Sequence, residues 1–334
     1  MTAASETIQV LLKVAKERRM DPNSLNDDGL TAIEVALEEP GEDGYLIKAF
    51  LDNGFSLPDR AVLHAVVASS RNELNSSTLD MVLALGARLE VLNEDGLNAL
   101  HFSAQYGALA AAKRILQVQG ADSLVRQRDN DGKTPLHWSA STDHCKILEL
   151  LISHGAELDV QDNDGVSALG LAIERGSTEC IVYLLRNGAQ IMLQQGPWAG
   201  SSILIFAVSK DPEDSKSMLS FLLSGNIDED EPRKFSQFHV PEVLDARDTS
   251  NGDTVLHRAA AAGDYEGVFS LLRAGASPSP RNLAERTPWE GARLRLESFS
   301  APVTFKDILL RQHLETVLSH MKLRENGSET PLDL

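Results

Sequence analysis

Polar and apolar positions alternate along this chain in a fixed order. A polar turn with a glycine comes first. An apolar run with helical spacing follows, and then a second helix ending in Leu-Leu and a glycine. Residues 129–140, DNDGKTPLHWSA, show the first half well. Copies stand at 26–36 (NDDGLTAIEVA), 93–104 (NEDGLNALHFSA), 162–172 (DNDGVSALGLA) and 249–260 (TSNGDTVLHRAA). A reduced copy, Ala61-Val62-Leu63-His64-Ala65, lies between the first two. Gly132 to Gly165 is 33 residues, and so is Asp129 to Asp162. A fixed period of this size means stacked repeats, so self-similarity outranks any single motif.

The second half of the unit recurs as well. It reads FLDNGFSL at 50–57, LALGARLE at 83–90, LQVQGADS at 116–123, LISHGAEL at 151–158 and LLRNGAQI at 184–191. It continues as LLSGNI at 222–227 and LLRAGASP at 271–278. Each copy therefore predicts a turn, a helix, a second helix and a glycine C-cap. The hairpin glycines, such as Gly132, permit positive φ. Thr134 can cap the first helix, and Pro135 suits its first turn because the missing N–H has no intrahelical partner there.

Together these residues resemble the ankyrin repeat. The 129–161 unit matches that family from the hairpin Asp through Thr-Pro-Leu-His to Leu-Leu-x-x-Gly-Ala. The resemblance implies an all-α ankyrin-repeat solenoid of helix-turn-helix units with β-hairpin tips. The array spans 1–290. An N-terminal cap covers 1–25, with Met20-Asp21-Pro22-Asn23 echoing the family's repeat ending. Degenerate repeats fall at 26–57, 58–90 and 198–227. Clear repeats fall at 93–128, 129–161, 162–191 and 248–278, and a worn cap at 280–290. A C-terminal extension with a capping helix follows at 291–323, then a flexible tail at 324–334. The family pattern implies that His64, His101, His137 and His257 hydrogen-bond within and between units. No unit buries its apolar face alone, so stability comes from stacking.

The departures from period are expected to be loops. EEPGEDGY at 38–45 and SSRNELNSS at 69–77 lengthen two turns. MLQQGPWAGS at 192–201 replaces a hairpin and carries Trp198. DEDEPRKFSQFHVPEVLD at 228–245 is the longest; Gly225 to Gly275 is 50 residues against a period of 33. At 304–322, Phe305, Leu309 or Leu310, Leu314, Val317, Leu318 and Met321 share a helical face that is expected to cover the array's open end, with docking into a partner as the alternative.

Composition narrows the setting. Aromatics are only 5%, which suits helices packed through Leu, Ala, Val and Ile. The net charge of −18 disfavours nucleic acid and anionic membranes and favours basic partners. Two cysteines, Cys145 and Cys180, make no disulfide framework. They are read as structural or partly exposed thiols in a reducing compartment, cytoplasmic or nuclear. No 18-residue apolar run and no secretory signal pattern stands out.

Two candidate chemistries fail. Gly132-Lys133-Thr134 ends like a phosphate loop, but the Gly needed six residues before the Lys is Gln127. His137 looks catalytic until the same His recurs in four units, whereas a general base needs one particular environment. No metal, cofactor or catalytic site is expected, and the chain is expected not to be an enzyme.

Recognition remains. By resemblance, hairpin tips and the exposed side of the first helices form a concave binding face. The positions are Glu94, Asp95, Leu97, Gln105 and Tyr106; Asn130, Asp131, Lys133, Ser141 and Thr142; Asn163, Asp164, Val166, Glu174 and Arg175; with Trp198 from the insertion. Asp27, Asp28, Glu38 and Glu39 extend it. The expected partner is a basic protein surface or peptide, bound by a chain that is a monomer on its own. The alternatives are a small-molecule or catalytic pocket under the 192–201 or 228–245 insertion, or a targeting subunit of a separate enzyme. Trp138, beside the Ala pair, is expected to pack against the neighbouring repeat instead.

Overall fold

The computed structural model describes residues 45–53, 76–193, 199–208, 218–224 and 241–297, with Ser24, Asp27, Thr31 and Ala32. The expected N-terminal cap apart from Ser24, Trp198, His64, most of the 228–245 insertion and the expected helix at 304–322 lie outside these residues. The chain forms two compact units, Met1–Asp162 and Asn163–Leu334.

In the first unit, helix α1 spans Tyr45–Asp52 and α2 Ser76–Ala84. Helices α3 (Ala99–Tyr106) and α4 (Leu109–Leu116) form a pair, as do α6 (Pro135–Ser141) and α7 (Cys145–Ser153). First helices pack on first helices: α3 lies against α6, while α4 lies against α7. Leu100, Ala104, Leu136, Ala140, Leu148 and Leu151 are buried in these contacts. The alanines let backbones approach, and the leucines fill the gaps left between them. A short helix α5 (Asp122–Arg126) has no counterpart in the repeat pattern. It uses the extra length of the 93–128 repeat, buries Leu124 and Val125, and accepts the Asn98 side-chain amide at the Leu124 carbonyl at 2.9 Å.

The second unit holds α8 (Ala168–Arg175), α9 (Thr178–Arg186), a 3-10 turn at Ile203–Ala207, and α10 (Met218–Ser224). It continues with α11 (Pro241–Leu244), α12 (Val255–Ala262), α13 (Tyr265–Ala274) and α14 (Pro288–Glu297). Helix α12 packs on both α13 and α14, and α10 packs on α13. The arms of the 192–201 insertion pair with each other: the Leu193 N–H donates to the Ser201 carbonyl, and the Gly200 N–H to the Leu193 carbonyl, both at 2.9 Å. Among the described residues no sheet forms, only isolated bridges such as Met192 with Ser202.

Helix starts follow from capping. Thr134 and Thr254 sit in extended backbone and form a reciprocal box with the His three residues on. Asn98 does the same, its Oδ1 accepting the Leu100 and His101 N–H groups. This satisfies donors that have no intrahelical partner. The degenerate 198–227 repeat lacks the pairing. Its cap residue is Ser202, and the His position is Ile205. The Ser202 hydroxyl is buried without a partner, and the segment is a 3-10 turn instead of an α-helix.

Between the two helices of a repeat the chain turns through left-handed backbone. Gly107, Gly176 and Gly263 do so at φ 72°, 80° and 79°. In the 129–161 repeat the equivalent residue is Asp143, at φ 64°. It is one of two non-glycine residues with positive φ among those described.

Candidate recognition surface

Four hairpins are fixed by the side chain at the first position. Asn93 Oδ1 accepts the Asp95 and Leu97 N–H groups at 3.0 and 2.8 Å. Asp129 Oδ1 accepts those of Asp131 and Lys133 at 3.0 and 2.8 Å. In the second unit Asn282 repeats the device, while Asp248 Oδ1 accepts the N–H groups three and four residues on, those of Asn251 and Gly252. Such a turn holds the next two residues outward with little freedom. Successive tips are also joined, because the Asn130 N–H donates to the Asp95 carbonyl at 2.9 Å.

The residue after the His reaches back to the same anchor. Trp138 Nε1 donates to Asp129 Oδ2 at 2.8 Å, and Lys133 Nζ lies 5.8 Å from the Trp138 ring. In the second unit Arg258 takes the same role, its Nη2 lying 3.3 Å from Asp248 Oδ2. Burial raises the Asp248 carboxyl, but the Asn251 N–H, the Ser250 hydroxyl and Arg258 together hold it below the usual carboxylate range. Trp138 is therefore half-buried and tied to its own hairpin.

The recurring His is architecture. His101 Nδ1 accepts the Asn98 N–H at 3.1 Å, so that nitrogen carries no proton. Nε2 then donates to the Lys133 carbonyl of the next repeat at 3.1 Å. Burial pushes the imidazole down to about 4, against the opposing pull of that carbonyl. His257 is arranged alike, with Nε2 3.0 Å from the Arg286 carbonyl, and burial lowers it too. His137 Nδ1 meets the Thr134 hydroxyl and N–H inside the core. Neutral, buried and bonded imidazoles hold the repeats together and offer no free base.

Cys145 in α7 and Cys180 in α9 are both buried and disulfide-bonded, with no free cysteine in the chain. The expectation of structural or partly exposed thiols is corrected accordingly, and the reducing compartment loses that support.

The positions expected to bind a partner divide by environment. In the first unit Glu94, Asp95, Asn130, Asp131 and Tyr106 are exposed, and Gln105, Lys133, Ser141 and Thr142 are half-buried. Tyr106 is 45% exposed, with its ring 6.0 Å from that of Phe102. Asn130 spends its side-chain amide on the Glu94 carbonyl at 2.9 Å. Lys133 pairs with Asp131 at 3.7 Å. The Thr142 hydroxyl donates to the Trp138 and Ala104 carbonyls, and Ser141 to Trp138. In the second unit Asn163, Asp164, Glu174 and Arg175 are exposed. Leu97 and Val166 are buried, at 5% and 8% exposure. The turn brings the chain back inward at the residue after the glycine, so these two serve the core. The structure also brings in His144, whose ring fills the space a Cβ on Gly107 would take. Asp27, in a turn, is exposed; Asp28, Glu38, Glu39 and Trp198 lie outside the described residues.

The family model for ankyrin repeats (3 copies) matches residues 63–162 and 169–282, more than half the chain. The chain belongs to the ankyrin-repeat family. A second model, ankyrin repeats (many copies), matches 146–185. The ankyrin fold extends to a solved structure, the human ASB11 ankyrin repeat domain, with a TM-score of 0.52 and 21% identity. That match covers 75% of this chain and 96% of the other. Among curated relatives, the palmitoyltransferase ZDHHC13 of Mus musculus is 30% identical over 227 residues, 63% of this chain and 36% of its own. The putative palmitoyltransferase ZDHHC13 of Danio rerio is 30% identical over 194 residues, 53% of this chain and 30% of its own. The nuclear factor NF-kappa-B p105 subunit of Gallus gallus is 27% identical, over 60% of this chain and 23% of its own. This ankyrin chain thus spans about a third or less of these relatives. Ankyrin repeats generally mediate protein–protein interaction. Among the described residues no helix is long and apolar enough to cross a membrane.

Proposed function

We propose that this protein is a non-enzymatic recognition scaffold, and that its first unit takes a basic peptide or a basic patch of a partner protein. The observation that carries this reading is the pairing of exposed acids on fixed tips with one exposed aromatic ring. Glu94, Asp95 and Asp131 stand on turns whose backbone is already bonded. Tyr106 ends the eight-residue helix α3, which starts just after the first tip. Eight helical residues rise about 12 Å. Four residues of extended peptide cover about the same length. A short basic segment with one apolar contact thus matches both features at once.

Rigid presentation is the mechanism. Ordering the tip backbone costs little on binding, because the Asx bonds and the Asn130–Asp95 link are in place beforehand. The acids speed encounter with a basic partner, and Tyr106 supplies the buried anchor. Asn163, Asp164, Glu174 and Arg175 give the second unit a comparable tip chemistry of its own. The partner's identity follows from affinity capture and mass spectrometry with the wild type and a Tyr106→Ala, Asp95→Lys, Asp131→Lys variant. Partners with basic segments should disappear from the variant's capture. Retention of the same partners by all three changes would overturn the reading, as would loss confined to an Asp164→Lys variant.

A further inference from the structure

Hairpin tips change character along the chain. In the first unit they are Glu94-Asp95 and Asn130-Asp131; at the last hairpin of the second unit the tip is Leu283-Ala284. Leu283 is 73% exposed, above Leu85, Tyr106 and Leu92, the other exposed large hydrophobic residues among those described. Three exposed arginines belong to this hairpin and the one before it. Arg281 precedes the hairpin, Arg286 closes it, and Arg247 comes from the preceding hairpin, where its Nη1 donates to the Arg281 carbonyl at 2.7 Å.

None of the three is matched by a carboxylate at ion-pair distance among the described residues. Of the nearby acids, Glu285 is exposed in the same hairpin, Arg281 and Arg286 help hold the Glu290 carboxyl below its usual range, and three acids including Glu290 have other partners. Asp248 holds Arg258, Asp253 Oδ1 accepts the Asn282 side-chain amide at 2.8 Å, and Glu290 accepts the Thr287 N–H at 2.7 Å. Part of the arginines' work is architectural. Arg281 Nη1 donates to the Glu285 carbonyl, and Arg128 stitches hairpin carbonyls in the same way in the first unit. Those bonds use one of five N–H donors on Arg247 and one on Arg281. The Arg286 side chain makes no hydrogen bond or ion pair among the described residues, so stitching does not account for it.

We propose that Arg247, Arg281, Arg286 and Leu283 form a second docking surface, for a short acidic segment of a partner protein that carries one bulky apolar side chain. Guanidinium groups pair with carboxylates through two parallel N–H donors, and Leu283 offers an apolar contact that a sugar-phosphate backbone would leave unused. The chain's net charge of −18 does not forbid this. At physiological ionic strength charges farther than about 8 Å are largely screened, so the local arginines govern contact. The surface lies wholly in the second unit, and the acidic tips in the first.

The test is fluorescence anisotropy with the full chain and a labelled peptide EEDLFEDEE. Two controls accompany it: the peptide with lysine for each acid, and a single-stranded DNA oligonucleotide. Arg286→Glu and Leu283→Ser are the informative variants, since neither side chain makes an internal polar bond. Saturable, salt-sensitive binding of the acidic peptide is expected. Each variant should weaken it by roughly tenfold or more with an unchanged circular dichroism spectrum. The proposal is overturned by absence of binding at low salt, by unchanged affinity in either variant, or by equal or tighter binding of the lysine peptide or the DNA. The Tyr106, Asp95 and Asp131 variants should bind the acidic peptide normally, which separates this surface from the first.

Discussion

Acid should loosen the first unit through His101 in a way that can be isolated. The folded imidazole titrates at about 4, and an unperturbed histidine at 6.5. The folded value is the lower one, so the native state refuses a proton that the unfolded chain accepts. Stability is complete above pH 6.5 and drains away as pH falls toward 4. One pK unit is about 1.4 kcal/mol, so lowering the pH to 4.5 removes about 2.5 kcal/mol through this residue alone. The geometry explains the refusal, since a proton on Nδ1 would face the Asn98 N–H. His101→Gln keeps an amide able to reach the same partners but does not titrate. It should cost about 1–2 kcal/mol at pH 7.5, from imperfect bonding at the Asn98 N–H and the Lys133 carbonyl. By pH 4.5 that deficit should vanish or reverse. Urea unfolding of both proteins across this range, followed by circular dichroism, gives the difference and cancels every other titrating group. A wild-type-to-variant difference that stays constant with pH would refute the argument.

Other substitutions test other parts of the account. Asp143→Gly should raise the melting temperature, the relief of left-handed strain outweighing by about 0.5–1 kcal/mol the lost contacts of the carboxylate, such as Oδ1 with Cys145 Sγ at 3.6 Å; a lower melting temperature would mean that those contacts are the larger effect. Thr134→Ala should cost about 1–2 kcal/mol through the lost cap, whereas Ser202→Ala should be neutral or stabilising because its buried hydroxyl has no partner. Chemical denaturation of the pair checks the contrast. Trp138→Phe should cost about 1–3 kcal/mol by leaving Asp129 Oδ2 without its donor, in excess of any packing change; amide exchange at Asp131 and Lys133 should quicken if the hairpin loosens.

Much of this was legible before any coordinate. The repeated Asx-x-x-Gly turns, the Thr or Asn caps and the His at helix position three are local rules, and each appears at several places. What stayed hidden was specific to single copies. Helix α5 arises from three extra residues between repeats, and length alone does not say whether such residues loop or coil. Asp143 stands in a column of glycines, a signal present in the aligned repeats and read only once its φ was known. Leu97 and Val166 followed the tip glycine, and only the path of the turn shows that the chain has already headed inward there. Their apolar character pointed the same way. Trp138 is tied to Asp129, nine residues earlier, which periodicity does not encode. The Leu283 tip broke the acidic pattern in plain sight, but its three arginines come together only through the pairing of two hairpins.

The central claim is that the acidic tips and Tyr106 of the first unit face the partner. Site-specific photocrosslinking tests it most directly, with benzoylphenylalanine at position 106 and, for comparison, at the exposed Ser153 that ends α7. The account predicts a crosslink from 106 to a lysine- or arginine-rich segment, its loss when Asp95 and Asp131 are reversed to lysine, and none from 153. A crosslink from 153 in place of 106, or one from 106 that survives the charge reversal, would contradict it.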